Sequence, residues 1–330
     1  MSTELRQGST LRQVFPAGDI YAVCDCGALE AGARDYGLMT LSLAELIAEE
    51  PGLPAGANVV LFLRHNLVSA DLRKRFRQAA VLVVPIASFD QSLEAALYTQ
   101  KLAMRMDYVS ACAQGRYWVD QLTNQGGELV FTTSGTQQPA PGADRTDLVC
   151  SFSDSLSAGT WLEPVITPGQ WVSVGSICEI SMTFRPAPGR PMPYTLNGTA
   201  VASGVLVARD PRFTEDGDRR IKAAGELRRE LVAAGPVSLR LENSMLTEVR
   251  ASGKDFTDAV REATNPDYDL RALELGIGTN ESLLPQVEWQ FNSQMNEGAG
   301  PVHLGFGEGL TGAHMDFIVA QSAHRFAASL

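Results

Sequence analysis

A chain of 330 residues that is 45% hydrophobic and 20% charged carries enough apolar material for packed cores, and its length favours about two domains over one enlarged core. With 27 basic against 38 acidic residues the formal net charge is −11, and no Lys/Arg block offsets it, so nucleic acid and anionic membrane surfaces are poor partners. Five cysteines (Cys24, Cys26, Cys112, Cys150, Cys178) are too few and odd in number for a disulfide framework, the start MSTELRQGSTLRQ lacks a secretory layout, and the longest apolar run, Ala79–Ala87, is too short to span a bilayer; the expectation is a cytoplasmic protein.

The first third alternates apolar runs with helical patterns: Ile20–Cys24, a Leu/Ala-rich helix near Leu41–Glu49, Asn58–Leu63, Ala70–Gln78 and Ala80–Ile86. Near-continuous apolar strands separated by helices predict a parallel sheet covered by helices, a Rossmann-like α/β domain. Arg64-His65-Asn66 follows the strand Asn58–Leu63. Ligand groups in open α/β sheets gather beyond the carboxyl ends of strands, which makes Arg64 and His65 candidate substrate-binding residues. Leu97, Leu102, Met106 and Val109 recur at helical intervals and predict one long helix over roughly Ser92–Gln121, bridging the domains.

From Gly127 the texture changes to short β-rich runs, Glu128–Thr133, Asp147–Phe152, Trp171–Val174 and Glu179–Phe184, so the chain divides into a Rossmann-like domain over 1–125 and a mixed α+β domain over 126–330. Gln137–Ala143 reads as an exposed loop, and Asn197-Gly198 as the turn of a hairpin. Helices are expected at Arg219–Ala234 and at Lys254–Ala263, the latter entered through Ser252-Gly253, and the last strands at Leu270–Leu275, Pro301–Phe306 and His314–Val319.

Of only four histidines, two lie beside a carboxylate in the order His303, His314, Asp316. Residues i and i+2 on a strand share a face, so His314 and Asp316 project together while Met315 and Phe317 face the opposite, packed side. The glycine-rich loop Gly307–Gly312 would fold the His303 strand back beside them. Two imidazoles and a carboxylate suit zinc, cobalt, manganese or iron; the alternative is a core histidine bonded to backbone, with Asp316 capping a turn. Glu274, in an apolar and glycine-lined run, and Glu179, in Ile177-Cys178-Glu179-Ile180, are carboxylates that a nearby cation would explain.

The run Leu273-Glu274-Leu275-Gly276-Ile277-Gly278-Thr279-Asn280, then His303-Leu304-Gly305-Phe306-Gly307, then His314-Met315-Asp316 resembles the C-terminal metal-site signature of the aminopeptidase T/aminopeptidase S family of metallopeptidases. The similarity is strongest over about 146–319 and includes the strand-turn-strand segment Pro236–Glu248. The resemblance implies Glu179, Glu274, His303, His314 and Asp316 as metal ligands, a site of one or two divalent ions, and a homodimer. It also departs from the pattern: the peptidases typically carry a tyrosine seven residues after the strand histidine, where Leu310 stands here, and the stretch between the histidines is shorter. The 2,5-dihydroxypyridine dioxygenases, in the same fold family, bind one Fe(II) through a two-His-one-Asp triad that His303, His314 and Asp316 would match.

Three functions follow as expectations. The first is hydrolysis of a peptide or amide by a metal-activated water, with Glu179 or Glu274 as ligand or general base. The second is ring-cleaving oxygen chemistry at a single Fe(II). The third is a non-catalytic descendant that binds a peptide or small molecule in the old cleft.

Overall fold

The computed structural model describes residues 9–48, 53–66, 68–125, 127–133, 145–153, 158–186, 191–209, 215–264, 269–309 and 311–326, and structural statements concern these. The architecture is α/β, with one parallel and two antiparallel sheets. The expected loop Gln137–Ala143 and the position of Leu310 lie outside the described residues. Among those described, no helix is long and apolar enough to cross a membrane.

The first part of the chain runs β1 (Ile20–Cys24), α1 (Gly27–Asp35), β2 (Met39–Ser42), α2 (Leu43–Ala48), β3 (Asn58–Phe62), α3 (Ala70–Arg75) and β4 (Ala80–Val84). β1, β3 and β4 are almost wholly buried, which is why they read as apolar runs without alternation. The expected bridging helix is two helices, α4 (Leu93–Ala103) and α5 (Tyr108–Gln125). The break comes at Asp107, whose carboxylate accepts from the Ser110 amide and hydroxyl and so caps a new helix.

Beyond α5 come β5 (Glu128–Thr133), β6 (Asp147–Phe152), β7 (Trp171–Ser173), α6 (Val174–Cys178), β8 (Glu179–Thr183), β9 (Tyr194–Ala202) and β10 (Gly204–Ala208). There follow α7 (Glu215–Ala234), β11 (Val237–Glu242), β12 (Met245–Ala251), β13 (Lys254–Asp255) and α8 (Thr257–Thr264). The chain closes with β14 (Ala272–Gly278), α9 (Gln294–Glu297), β15 (Val302–Phe306), β16 (His314–Val319) and β17 (Ser322–Phe326). The parallel sheet has the order β2-β1-β3-β4-β7, so its last strand is supplied by Trp171–Ser173, well after residue 125. The antiparallel sheets have the orders β10-β16-β15-β14-β8 and β13-β12-β11-β9-β6-β5-β17.

Asn197-Gly198 is not a hairpin turn. It lies inside β9, a central strand paired with β6 and β11, where Gly198 takes φ +119 and a Cβ would collide with the Asp147 carbonyl. The tight turn sits instead at Asn243-Ser244, both in the left-handed region (φ 50 and 63), between β11 and β12. Ser252-Gly253 likewise turns β12 into β13 instead of opening a helix, and α8 starts only after the Asp255 carboxylate accepts from the Thr257 amide.

One hydrophobic core lies between the two antiparallel sheets and under α7 and α8; it takes in Ile180, Met182, Leu275, Leu304, Met315 and Phe317. A second core, under α1, α4 and the parallel sheet, reaches Ile177, Cys178 and Met295. The sheet β10-β16-β15-β14-β8 therefore packs one face into the first core, while α6 and α9, at its open face, are held by the second.

Candidate metal centre

Strand periodicity puts the chemistry on the open face. The pairings run Thr183–Glu274–Gly305–Asp316 across β8, β14, β15 and β16, and Ser181–Gly276–His303–Ile318 beside them. Two glycines make the space. A Cβ on Gly276 would lie 2.6 Å from His303 Nδ1 and nearer still to its Cε1 and Nε2. One on Gly305 would lie 2.7 Å from His314 Cε1 and 2.8 Å from Asp316 Oδ1. The glycines between the acidic and histidine positions are thus required by side chains from neighbouring strands.

Five sequence-identified residues, Glu179, Glu274, His303, His314 and Asp316, converge here, and a sixth, Glu297, joins them. Their donor atoms form two sets, Glu179/Glu297/His303 and Glu274/His314/Asp316, each with all atoms within 4.8 Å of one another. His303 Nε2 stands 3.5 Å from Glu179 Oε2, 3.9 Å from Glu297 Oε1 and 4.0 Å from Glu274 Oε1. His314 Nε2 stands 2.9 Å from Asp316 Oδ1 and 3.2 Å from Glu274 Oε2. Ligand bonds of about 2.1 Å place neighbouring donor atoms roughly 3.0–3.4 Å apart, a spacing close to that of the His314 contacts in the second set and approached by the His303 contacts in the first.

Glu297 was missed because it sits in an irregular stretch whose only local signal is the N-cap Ser293 before a single turn, α9. Tertiary bonds fix it. Ser293 accepts from the Thr99 hydroxyl at 2.8 Å and Asn296 from the Tyr98 hydroxyl at 2.7 Å, so α4 clamps α9. After β14, the Thr279 amide donates to the Cys178 carbonyl and the Asn280 amide to that of Gly298. Gly298 presses on Cys178 with no room for a Cβ, which brings Glu297 against Glu179.

His303 and Asp316 have no exposure, and Glu179 and Glu297 are 8% and 6% exposed. Both ring nitrogens of His303, both oxygens of Asp316 and Oε2 of Glu179 are buried without a hydrogen-bond partner among the described residues. His314 Nδ1 lies 2.7 Å from the Gly307 carbonyl, to which it donates. That leaves the neutral ring's Nε2 lone pair facing carboxylate lone pairs of Asp316 and Glu274, an arrangement that only a proton or a metal cation satisfies.

Charge balance makes the same point. Burial, and then the charges of Glu274 and Asp316, push the Glu179 carboxyl well above its usual range; burial, Glu179 and Asp316 do the same to Glu297. Burial also opposes ionisation of Glu274, but the His303 and His314 imidazoles outweigh it and hold that carboxyl below the usual range. Against their own burial, both histidines are raised, His303 chiefly by Glu274 and His314 by Asp316. Four carboxylates in one pocket would be neutralised by two divalent cations, and the donor set fits such ions.

Glu179, Glu274, Glu297 and His314 open into a cleft of about 490 Å³ that is also lined by Phe89 and Arg209. Arg64 and His65 do not line it. Their backbone amides, with that of Asn66, bond the Asp25 carboxylate at 2.7–2.9 Å, which ties the ends of β1 and β3 together.

By sequence, a family profile described as "Crocagin biosynthetic protein CgnE/B" matches residues 17–327. No curated protein matches the chain. Among solved structures, wild-type AmpT from Thermus thermophilus is similar at 14% identity over 92% of this chain and 88% of that one, with a TM-score of 0.43. At that identity and score the likeness says nothing of chemistry. The description of the matched family names a biosynthetic protein and does not itself confirm the metallopeptidase family whose motifs the C-terminal strands resemble.

Proposed function

The chain belongs to the CgnE/B family of crocagin biosynthetic proteins, and from that premise we propose that it is a metal-dependent hydrolase of aminopeptidase type, acting on a peptide or amide. The observation that carries the reading is the buried convergence of two carboxylate–histidine triads, with orphaned donor atoms, at the wall of an open cleft. Divalent ions such as zinc, cobalt or manganese, held by Glu179/Glu297/His303 and Glu274/His314/Asp316, would acidify a water and polarise a carbonyl.

The chain's own groups divide the remaining work. Glu274 directs one oxygen toward each histidine and takes a hydrogen bond from the Ser181 hydroxyl, which fixes the carboxylate between the triads. Glu179 and Glu297 both line the cleft, where a carboxylate oxygen that the ion does not take up would accept the proton of the attacking water. The Gly307 carbonyl keeps the His314 proton on Nδ1 and its Nε2 free. Two separable donor sets support hydrolysis over ring cleavage at a single Fe(II), for which one facial triad suffices.

A second reading, a protein that holds a peptide without cleaving it, is favoured by one feature: Leu310 offers no hydroxyl where the resembled peptidases place a tyrosine. Elemental analysis of protein purified without added metal, with His314→Ala and Asp316→Ala beside it, tests the site. Bound metal that falls in both variants is the expected result; a metal-free protein that gains none on dialysis against zinc, cobalt or manganese refutes it. Incubation of the loaded protein with short peptides, followed by mass spectrometry, separates the readings, since intact peptide after prolonged incubation removes the hydrolase and leaves the binder.

A further inference from the structure

Beside the metal cleft, sharing Ser88, Phe89 and Arg209 with it, lies a second cavity of about 290 Å³. Three arginines line it, Arg209, Arg228 and Arg229, against a single acidic residue, Asp90. Among the described residues no carboxylate lies within ion-pair distance of any of the three arginines. Acidic residues outnumber basic ones in this chain, 38 to 27, so the deficit here is local.

Arg228 is fixed at the inner wall and is only 4% exposed. Its Nε donates to the Val205 carbonyl at 2.7 Å, and its terminal nitrogens to those of Gln290 and Trp289 at 3.1 and 2.7 Å. Carbonyls take three of its five N–H groups but do not cancel its charge. Burial pulls its pKa down to about 10, still above neutrality, so the group remains a desolvated cation. Arg209 donates its Nε to the Ala87 carbonyl at 3.2 Å, and Arg229 is exposed on α7. One further part of the wall, Ser88 to Gln91, follows the carboxyl end of β4, where ligand groups in parallel sheets collect.

We propose that this cavity is a carboxylate subsite, which holds an anionic group of the same molecule whose amide lies in the metal cleft. It rests on the hydrolase reading for what occupies the cleft. The planar guanidinium forks match a carboxylate, whether the C-terminus of a short peptide or an acidic side chain.

The test is calorimetric titration of the zinc-loaded protein with four peptides: Leu-Gly-Gly, its C-terminal amide, Leu-Gly-Asp-amide and Leu-Gly-Asn-amide. At least one carboxylate peptide is expected to bind about ten-fold or more tightly than its neutral counterpart, and the pair that differs identifies the source of the carboxylate. In the Arg209→Gln/Arg229→Gln protein that preference falls to near one; Arg228 is left in place because its carbonyl bonds support the fold. Equal affinity for charged and neutral peptides, a preference that survives in the double variant, or no binding of any of the four overturns the subsite. Turnover is scored separately: peptides bound with the preference yet left intact refute the hydrolase and leave the subsite standing, whereas cleavage without charge preference does the reverse.

Discussion

Gly276→Ala replaces one hydrogen of a central strand by a methyl group, on a site where β14 is paired on both sides. In an unobstructed strand the change would stabilise by roughly 0.4–1 kcal/mol, through the less flexible unfolded chain. Here the new Cβ overlaps the edge of the His303 ring, which has no exposure. Overpacking of this kind costs about 1–3 kcal/mol, so the net expectation is a loss of stability together with a loss of bound metal, because the displaced ring belongs to the first candidate ligand set. Urea denaturation measures the first and elemental analysis the second. The cause is isolated by a cycle with His303→Ala: with the ring removed, the methyl enters vacated space, and the coupling is expected at about 1–3 kcal/mol. Gly27→Ala, at the start of α1 where a Cβ meets nothing within 4 Å, is the control and should be harmless. A Gly276→Ala protein as stable and as metal-rich as the Gly27→Ala control, or a coupling near zero, would refute the account of why glycine stands there.

Further outcomes are expected on the same grounds. Glu297→Gln should lower metal content by about one ion per chain and spare the Glu274/His314/Asp316 set, which elemental analysis reads directly. Asp25→Asn should cost about 1 kcal/mol at neutral pH, since charged acceptance from the amides of Arg64, His65 and Asn66 is weakened at a half-buried position. Burial raises the Asp25 pKa, but those bonds outweigh it and hold the folded value below the usual one. Its stabilisation is therefore present above the unfolded pKa of about 4 and vanishes as pH falls through the lower folded value, so denaturation midpoints of wild type and Asp25→Asn should converge on acidification. Arg228→Met should destabilise by about 3 kcal/mol or more, because it leaves the carbonyls of Val205, Gln290 and Trp289 without their donor; a loss under 1 kcal/mol would contradict that role.

The strands β1, β3 and β4 of the parallel sheet were legible because they are buried on both faces, and burial of that kind writes itself into the chain as runs of Val, Leu and Ala. His314 and Asp316 were legible as one unit for a similar reason: a spacing of two on a strand guarantees a shared face, and Met315 and Phe317 do pack into the core on the other side. Other signals were present and ambiguous. Asn197-Gly198 has the composition of a turn, yet the same glycine serves an interior strand pressed against the Asp147 carbonyl. Asp107-Tyr108-Val109-Ser110 contains a helix start that the surrounding apolar periodicity masks.

By itself, then, the sequence determined the elements whose pattern is local: the apolar strands, the amphipathic helices, and the histidine and carboxylate placed two apart. Only the tertiary structure decided which strands from distant parts of the chain lie side by side, that Trp171–Ser173 extends the parallel sheet, and that Glu297 completes a triad with Glu179 and His303. Those outcomes depend on contacts such as Thr99 with Ser293, between residues 194 positions apart, and no local period encodes a contact made across that separation.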